Sequence, residues 1–461
     1  MAMARNMAHR KSRPQERPDV RKVTREDSIP PTLLSENAVY FWLTVIFTGA
    51  GAGFGAIVLT KLLQSVQHLF WPGPDLLAAA SQASPWRHIY VLLGAGALTG
   101  AGQIALRRLT SGNGIDITEA ISEFAGRLPA LRTVGTAVLS VVLVGMGAAL
   151  GREGAPKQVG AVIANELSDK AGLSDEQRRL LVACGAGAGM AAAYGVPLGG
   201  ALFALEVLRG VLALRLILPA LLACVIAAGI SWLVLPNAPT YVVPGYGSSI
   251  SVVCWALIAG PIAGLVSIGY VHLVAWADRV KPKGWRRFVS PTIALGILGL
   301  ASIEFPQLLG NGKDIAQLAF SNEVAPTLLV ILLLLRPLAT ILCLASGVPG
   351  GLFTPSLSLG ALLGGVLGLA WSSVWPGVPP GLFAIVGAAA VLAATTHGPI
   401  SAIVLVMELT ARDRSFILPL VLAVVTATIV ARTLDPRSIY DARFSRREIE
   451  HLQKARRPAA T

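Results

Sequence analysis

Apolar runs long enough to cross a lipid bilayer recur from about residue 39 to residue 431. A spanning helix needs about 20 such residues. Within hydrocarbon every backbone N–H and C=O must find its partner inside the protein, which leaves helices and closed barrels as the permitted elements. The composition agrees with helices: 54% of the 461 residues are hydrophobic and 14% are charged. The predicted fold class is an all-α polytopic membrane protein. Several runs, near 293–303, 382–394 and 400–409, are too short for a simple crossing. Half-spanning and re-entrant helices are therefore expected, tolerated where protein or a water-filled cavity surrounds them. The 48 glycines and 29 prolines suit close helix packing and interrupted helices.

One interruption carries chemistry. The run near 131–150 is followed by Gly151-Arg152-Glu153-Gly154-Ala155-Pro156, after which a new apolar segment opens. An ionisable residue at membrane depth is costly and marks a functional site by default. Gly151 and Gly154 let the backbone break around Glu153, and Pro156 suits the first turn of a new helix. The free N–H groups of such a helix end attract an anion, so Glu153 and an anion are expected to compete for one place. A second Gly/Pro break follows at 346–355, Ser-Gly-Val-Pro-Gly-Gly-Leu-Phe-Thr-Pro. The two parts of the chain also echo each other: Pro197 to Glu206 aligns without gaps to Pro399 to Glu408. Interrupted segments at corresponding positions of two halves place a binding site at mid-membrane. The expected organisation is a disordered basic arm (1–36), a first membrane half (37–235), a linker rich in Pro, Gly, Tyr and Ser (236–250), a second half (251–434) and a C-terminal segment (435–461).

The net charge of +13 sits largely at the two ends. Basic flanks of membrane segments stay in the cytoplasm, so both termini are expected there, beside anionic lipid and not on nucleic acid. Cys184, Cys224, Cys254 and Cys343 lie in apolar segments without metal-ligand spacing. No metal, cofactor or nucleophile–base pair is indicated, which leaves an intramembrane enzyme as a remote alternative. Asp116 with Glu119 reads as a capping box opening a short helix. Glu206 and Glu408 read as helix-end or interface acids, with Arg209 in reach of Glu206. His397 reads as a loop or cap residue. Arg336, deep in an apolar run, is expected to snorkel to an interface or to pair with an acid. Trp42, Trp71, Trp232, Trp371 and Trp375 suit an interfacial belt.

From about 39 to 444 the chain resembles the CLC family of chloride channels and proton-coupled chloride antiporters. Gly151-Arg-Glu-Gly154 resembles the family's gating-glutamate motif, and Gly350-Gly-Leu-Phe-Thr-Pro355 its second anion-binding motif. The stretch 111–115, Ser-Gly-Asn-Gly-Ile, falls where the family has its first, and Tyr440 matches the tyrosine that points at the central anion. The resemblance implies a homodimer of independent pores, each subunit built from two inverted halves of tilted, broken helices, in a bacterial inner membrane. It implies Glu153 as the gate and Asn113, Gly114, Gly154, Leu352, Phe353 and Tyr440 around the anion. The Pro-to-Glu segments match helices at the family's dimer interface. The chain stops soon after its last apolar segment, so the cytoplasmic CBS domains of some members are not expected.

The departures from the pattern matter as much. Asn113 stands at the family's serine, Asp116 at its proline, and Ala155 where proline follows the gate's glycine. Fluoride-exporting members also replace that serine and proline, which keeps fluoride open beside chloride. Lys157 lies one helical turn after Glu153 and is expected either to pair with it or to reach an aqueous vestibule. Val207 occupies the position of the second, proton-carrying glutamate of antiporters, a position that is apolar in the family's channels. Asp116, Lys157, Glu206 and Val207 are thus the candidate modulators, and protons a possible second cargo.

Overall fold

The computed structural model describes residues 38–110, 115–247, 249–411 and 416–442. The chain enters through α1 (Ala38–Phe70), turns at α2 (Leu76–Ser81) and returns in α3 (Pro85–Leu109). Next, α4 (Ile117–Glu123) and α5 (Ala130–Gly145) lead to α6 (Gly154–Lys170), α7 (Asp175–Tyr194) and α8 (Pro197–Phe203). A turn of π-helix (Ala204–Arg209) extends α8 before α9 (Leu214–Ser231). Beyond the linker lie α10 (Ile250–Arg279), α11 (Arg286–Glu304), α12 (Lys313–Phe320) and α13 (Pro326–Ser346). Finally come α14 (Phe353–Ser372), α15 (Pro380–Thr396), α16 (Pro399–Thr410) and α17 (Ile417–Leu434). Seven of the described helices are long and apolar enough to span a membrane: α1, α3, α10, α11, α13, α14 and α17.

The short ones are short for a reason. α15 is buried along nearly its whole length, packed between α14 and α17. Its 17 residues, rich in Gly and Ala, fill the protein interior and need not match the bilayer. Proline stands in the first turn of α3, α8, α13, α15 and α16, where its missing N–H costs nothing. His397, in the left-handed region at φ 57°, closes α15 as a cap.

The two Pro-to-Glu segments cap each other. The Glu408 carboxylate, closing α16, accepts from the N–H groups of Leu198 (3.0 Å) and Gly199 (2.7 Å) in the first turn of α8. Glu206, in the π-turn after α8, accepts from the N–H groups of Ile400 (3.2 Å) and Ser401 (2.6 Å) and from the Ser401 hydroxyl (2.6 Å) at the start of α16. Each acid therefore satisfies donors that the opposite helix leaves without an intrahelical partner, at the end where the helix dipole favours negative charge.

Four expectations are corrected. The run near 293–303 is not too short to cross: it lies in α11, whose 19 residues are long and apolar enough to span a membrane. Arg209 pairs with Glu176, not with Glu206, because the π-turn directs it toward α7. Trp71 is core and not belt: it is 1% exposed and its indole N–H donates to the Met146 carbonyl at 3.1 Å. Arg336 neither snorkels nor pairs with an acid among the described residues. Its guanidinium is buried and donates to the Leu308 (2.5 Å) and Gly310 (2.7 Å) carbonyls, pinning the turn before α12 to α13.

Candidate functional site

The two Gly/Pro breaks meet. After α5 the chain leaves helical geometry, and Gly151 forms an isolated antiparallel bridge with Gly351. The Gly151 N–H donates to the Gly351 carbonyl at 2.8 Å, and the return bond is 2.7 Å. Within three residues of the bridge two helices begin, α6 at Gly154 and α14 at Phe353, so both N-terminal ends lie beside it.

Glu153 links the two helix starts. Its carboxylate is fully buried, with Oε1 accepting from the Phe353 backbone N–H at 2.6 Å and Oε2 from the Thr354 hydroxyl at 3.1 Å. The Thr354 hydroxyl lies 3.2 Å from the Tyr194 hydroxyl, which extends the network to the end of α7. A buried carboxylate is stable only when hydrogen-bonded or paired, and here the start of α14 supplies the donors. The glycines are required by this seat. A Cβ at Gly151 would lie 2.3 Å from the carboxylate oxygens, and one at Gly351 2.2 Å.

Cavities flank the acid on two sides. One, of about 270 Å³, is walled by Arg152, Tyr194, Thr240 and Lys313 among others. The Arg152 guanidinium stacks over the Tyr194 ring, 4.9 Å from its centroid. The other, of about 210 Å³, is walled by Asp116, Gly154, Lys157, Gly351, Leu352 and Tyr440. Glu153 thus separates an Arg152 side from a Tyr440 side, its neighbours in sequence facing different spaces.

Of the residues singled out in the sequence, Gly154, Leu352, Phe353, Tyr440, Asp116 and Lys157 converge on Glu153 or on the cavity next to it. Asn113 and Gly114 lie outside the described residues. Asp116 caps α4, accepting from the Thr118 N–H at 2.9 Å. Lys157 reaches the cavity: its ammonium lies 3.4 Å from the Tyr440 hydroxyl and 4.9 Å from the centroids of both the Phe203 and Tyr440 rings. Val207 is buried in the π-turn beside Gly398, and Glu206 is committed to capping α16. Thr354, Tyr194 and Phe203 were not singled out. Thr354 follows directly on the Gly-Gly-Leu-Phe run, and that position was its one signal in the sequence.

Tyr440 is held by the chain after α17. Ile439 N–H donates to the Thr395 carbonyl at 2.7 Å. Asp435, which ends α17, accepts from Arg437 (2.7 Å) and contacts His272 (2.6 Å). Burial by itself would raise the Asp435 pKa, but the hydrogen bonds and charge of Arg437 outweigh it and bring the carboxyl down to about 2. The anchor therefore stays ionised at any pH well above that value.

Comparison with known proteins agrees over most of the length. The sequence pattern of the family described as voltage gated chloride channel matches residues 95–432. The chain is 29% identical over 463 residues to the H(+)/Cl(-) exchange transporter ClcA of Citrobacter koseri, covering 96% of this chain and 95% of that protein. It is 32% identical over 381 residues to the voltage-gated ClC-type chloride channel ClcB of the same organism, covering 79% and 89%. Among solved structures, a slow cyanobacterial Cl-/H+ antiporter superposes with a TM-score of 0.77 at 22% identity, covering 93% of this chain and all of that one. A CLC-type fluoride/proton antiporter superposes with a TM-score of 0.65 at 24% identity, covering 90% and 99%.

Proposed function

The chain belongs to the CLC family of voltage-gated chloride channels, and on that premise we propose that Glu153 gates a path for small inorganic anions, chloride first, between the two cavities. One observation carries this: the Glu153 carboxylate sits on the Phe353 N–H, at the start of a helix, where an anion would be held. Ionised, it fills the seat. Protonated, it loses its hold on that donor and gives the place to an anion. The Leu352 backbone and the Tyr440 hydroxyl border the next station along the path. Helix-end N–H groups and hydroxyls would replace the water shed by the anion.

Val207 cannot carry a proton, which favours weakly coupled or uncoupled flow, with water as the proton route to Glu153 from the Tyr440 side. In keeping with the family resemblance, we place the Tyr440 side and both termini in the cytoplasm of a bacterial cell, in its inner membrane. We further assign a homodimer with one path per subunit, joined through the α8–α9 and α16–α17 region, where Leu198, Val225, Leu418 and Ile429 present exposed apolar side chains.

Efflux from chloride-loaded liposomes tests the gate. The wild type should speed up as pH falls, while Glu153→Gln should run at a rate nearly independent of pH. Full pH dependence in the variant would defeat the assignment. Loading the same liposomes with fluoride tests the second reading, for which Ala155 speaks, and proton uptake driven by a chloride gradient measures coupling.

A further inference from the structure

Lys157 is the feature of the path that gating by Glu153 does not use. Its side chain is 4% exposed. It lies one turn after Glu153 on α6, and its ammonium points into the 210 Å³ cavity. Three neutral groups surround it: the Tyr440 hydroxyl and the faces of Phe203 and Tyr440. Among the described residues it forms no ion pair, whereas other basic groups, such as Arg178, Arg209 and Lys281, do.

Glu153 and Asp116 act on Lys157 through space, but neither reaches it as an ion pair, and each acid near the cavity has its own hydrogen-bonded partners. Asp278 pairs with Lys281 at the wall, Asp116 caps α4, and Glu153 is seated on Phe353 and Thr354. A buried charge needs a counter-charge. Aromatic faces and one hydroxyl stabilise an ammonium without neutralising it.

We infer that Lys157 is an anion-binding residue, a fixed ammonium that takes the transported monovalent anion, or the Glu153 carboxylate swung inward, as alternating counter-ion. This deepens the proposed function and rests on it. Tyr440 is then shared: its hydroxyl accepts from Lys157 through oxygen while its own proton remains available to the anion. A resident positive charge raises occupancy of the station and slows release, so this path should bind anions tightly and turn over slowly. The charge stands on the path itself and therefore acts on ions arriving from either side.

Chloride titration calorimetry on detergent-solubilised protein tests this, with fluoride and nitrate as parallel probes. Lys157→Met keeps the length and loses the charge, and should weaken binding by about tenfold or more. Lys157→Arg, which keeps the charge, should stay closer to the wild type. Equal affinity in wild type and Lys157→Met would overturn the inference. The ion most affected identifies the anion that the station prefers. If Glu153→Gln abolishes the pH dependence of flux while Lys157→Met binds chloride as the wild type does, the gate stands and this inference alone fails. If Glu153→Gln leaves that dependence intact, the gate itself fails. Should Lys157→Met not fold, bromide located in wild-type crystals decides: anomalous density in contact with Lys157 Nζ supports the assignment, and density elsewhere on the path but not there overturns it.

Discussion

At the scale of single residues, the site depends on what is missing as much as on what is present. Gly151 and Gly351 leave room for the Glu153 carboxylate, and a methyl group at either would overlap its oxygens. Gly351→Ala should therefore expel the carboxylate from the Phe353 N–H while leaving the acid in place. The expected phenotype is raised anion flux near neutral pH with a flattened pH response, approaching that of Glu153→Gln. Wild-type flux and pH response in Gly351→Ala would show that the seat is looser than the geometry implies. The sequence marks Glu153 because an acid between two glycines inside apolar surroundings is costly. It does not mark Tyr194, whose hydroxyl reaches Thr354 across 160 positions of chain. No local pattern encodes a contact of that range. For Lys157, spacing on α6 leaves two partners open, and the packing of Phe203 and Tyr440 selects the cavity.

At the scale of elements, the reciprocal caps join α8 to α16. Glu408→Ala would strip the acceptor from two N–H groups at the start of α8. Loss of a helix cap costs ~1–2 kcal/mol, visible as a lower Tm in detergent. Glu206→Ala should do the same to α16, and the double variant should depart from the sum, since the two caps join the same pair of segments. A Tm unchanged in both single variants would remove the caps from the stability of the fold. The gapless Pro-to-Glu echo was legible in the sequence, and its prolines, Pro197 and Pro399, stand at the starts of α8 and α16. The π-turn was not legible, since a regular turn there would have left Arg209 beside Glu206. α12 was also missed: its eight residues are too few for an apolar period to stand out.

At the scale of the whole molecule, cavities lie on two sides of the buried acid, and the proposed path would have two mouths. Lys313 walls the cavity on the Arg152 side and Lys281 the cavity on the Tyr440 side. Cysteines introduced at these positions should react with a membrane-impermeant thiol reagent from opposite faces of sealed vesicles. Labelling of both from one face would show that the cavities do not straddle the membrane. The native cysteines give little background, because three of the four are buried.

The two hydrogen bonds between Gly151 and Gly351 bear on how such a route can open. They fasten the starts of α6 and α14 to each other, backbone to backbone, beside the seat of Glu153. Neither helix can draw back alone without giving up both bonds in surroundings that offer no replacement. Under the proposed gating, the Glu153 side chain would pivot about its own torsions between these fastened helix starts, a turnstile whose frame stands still.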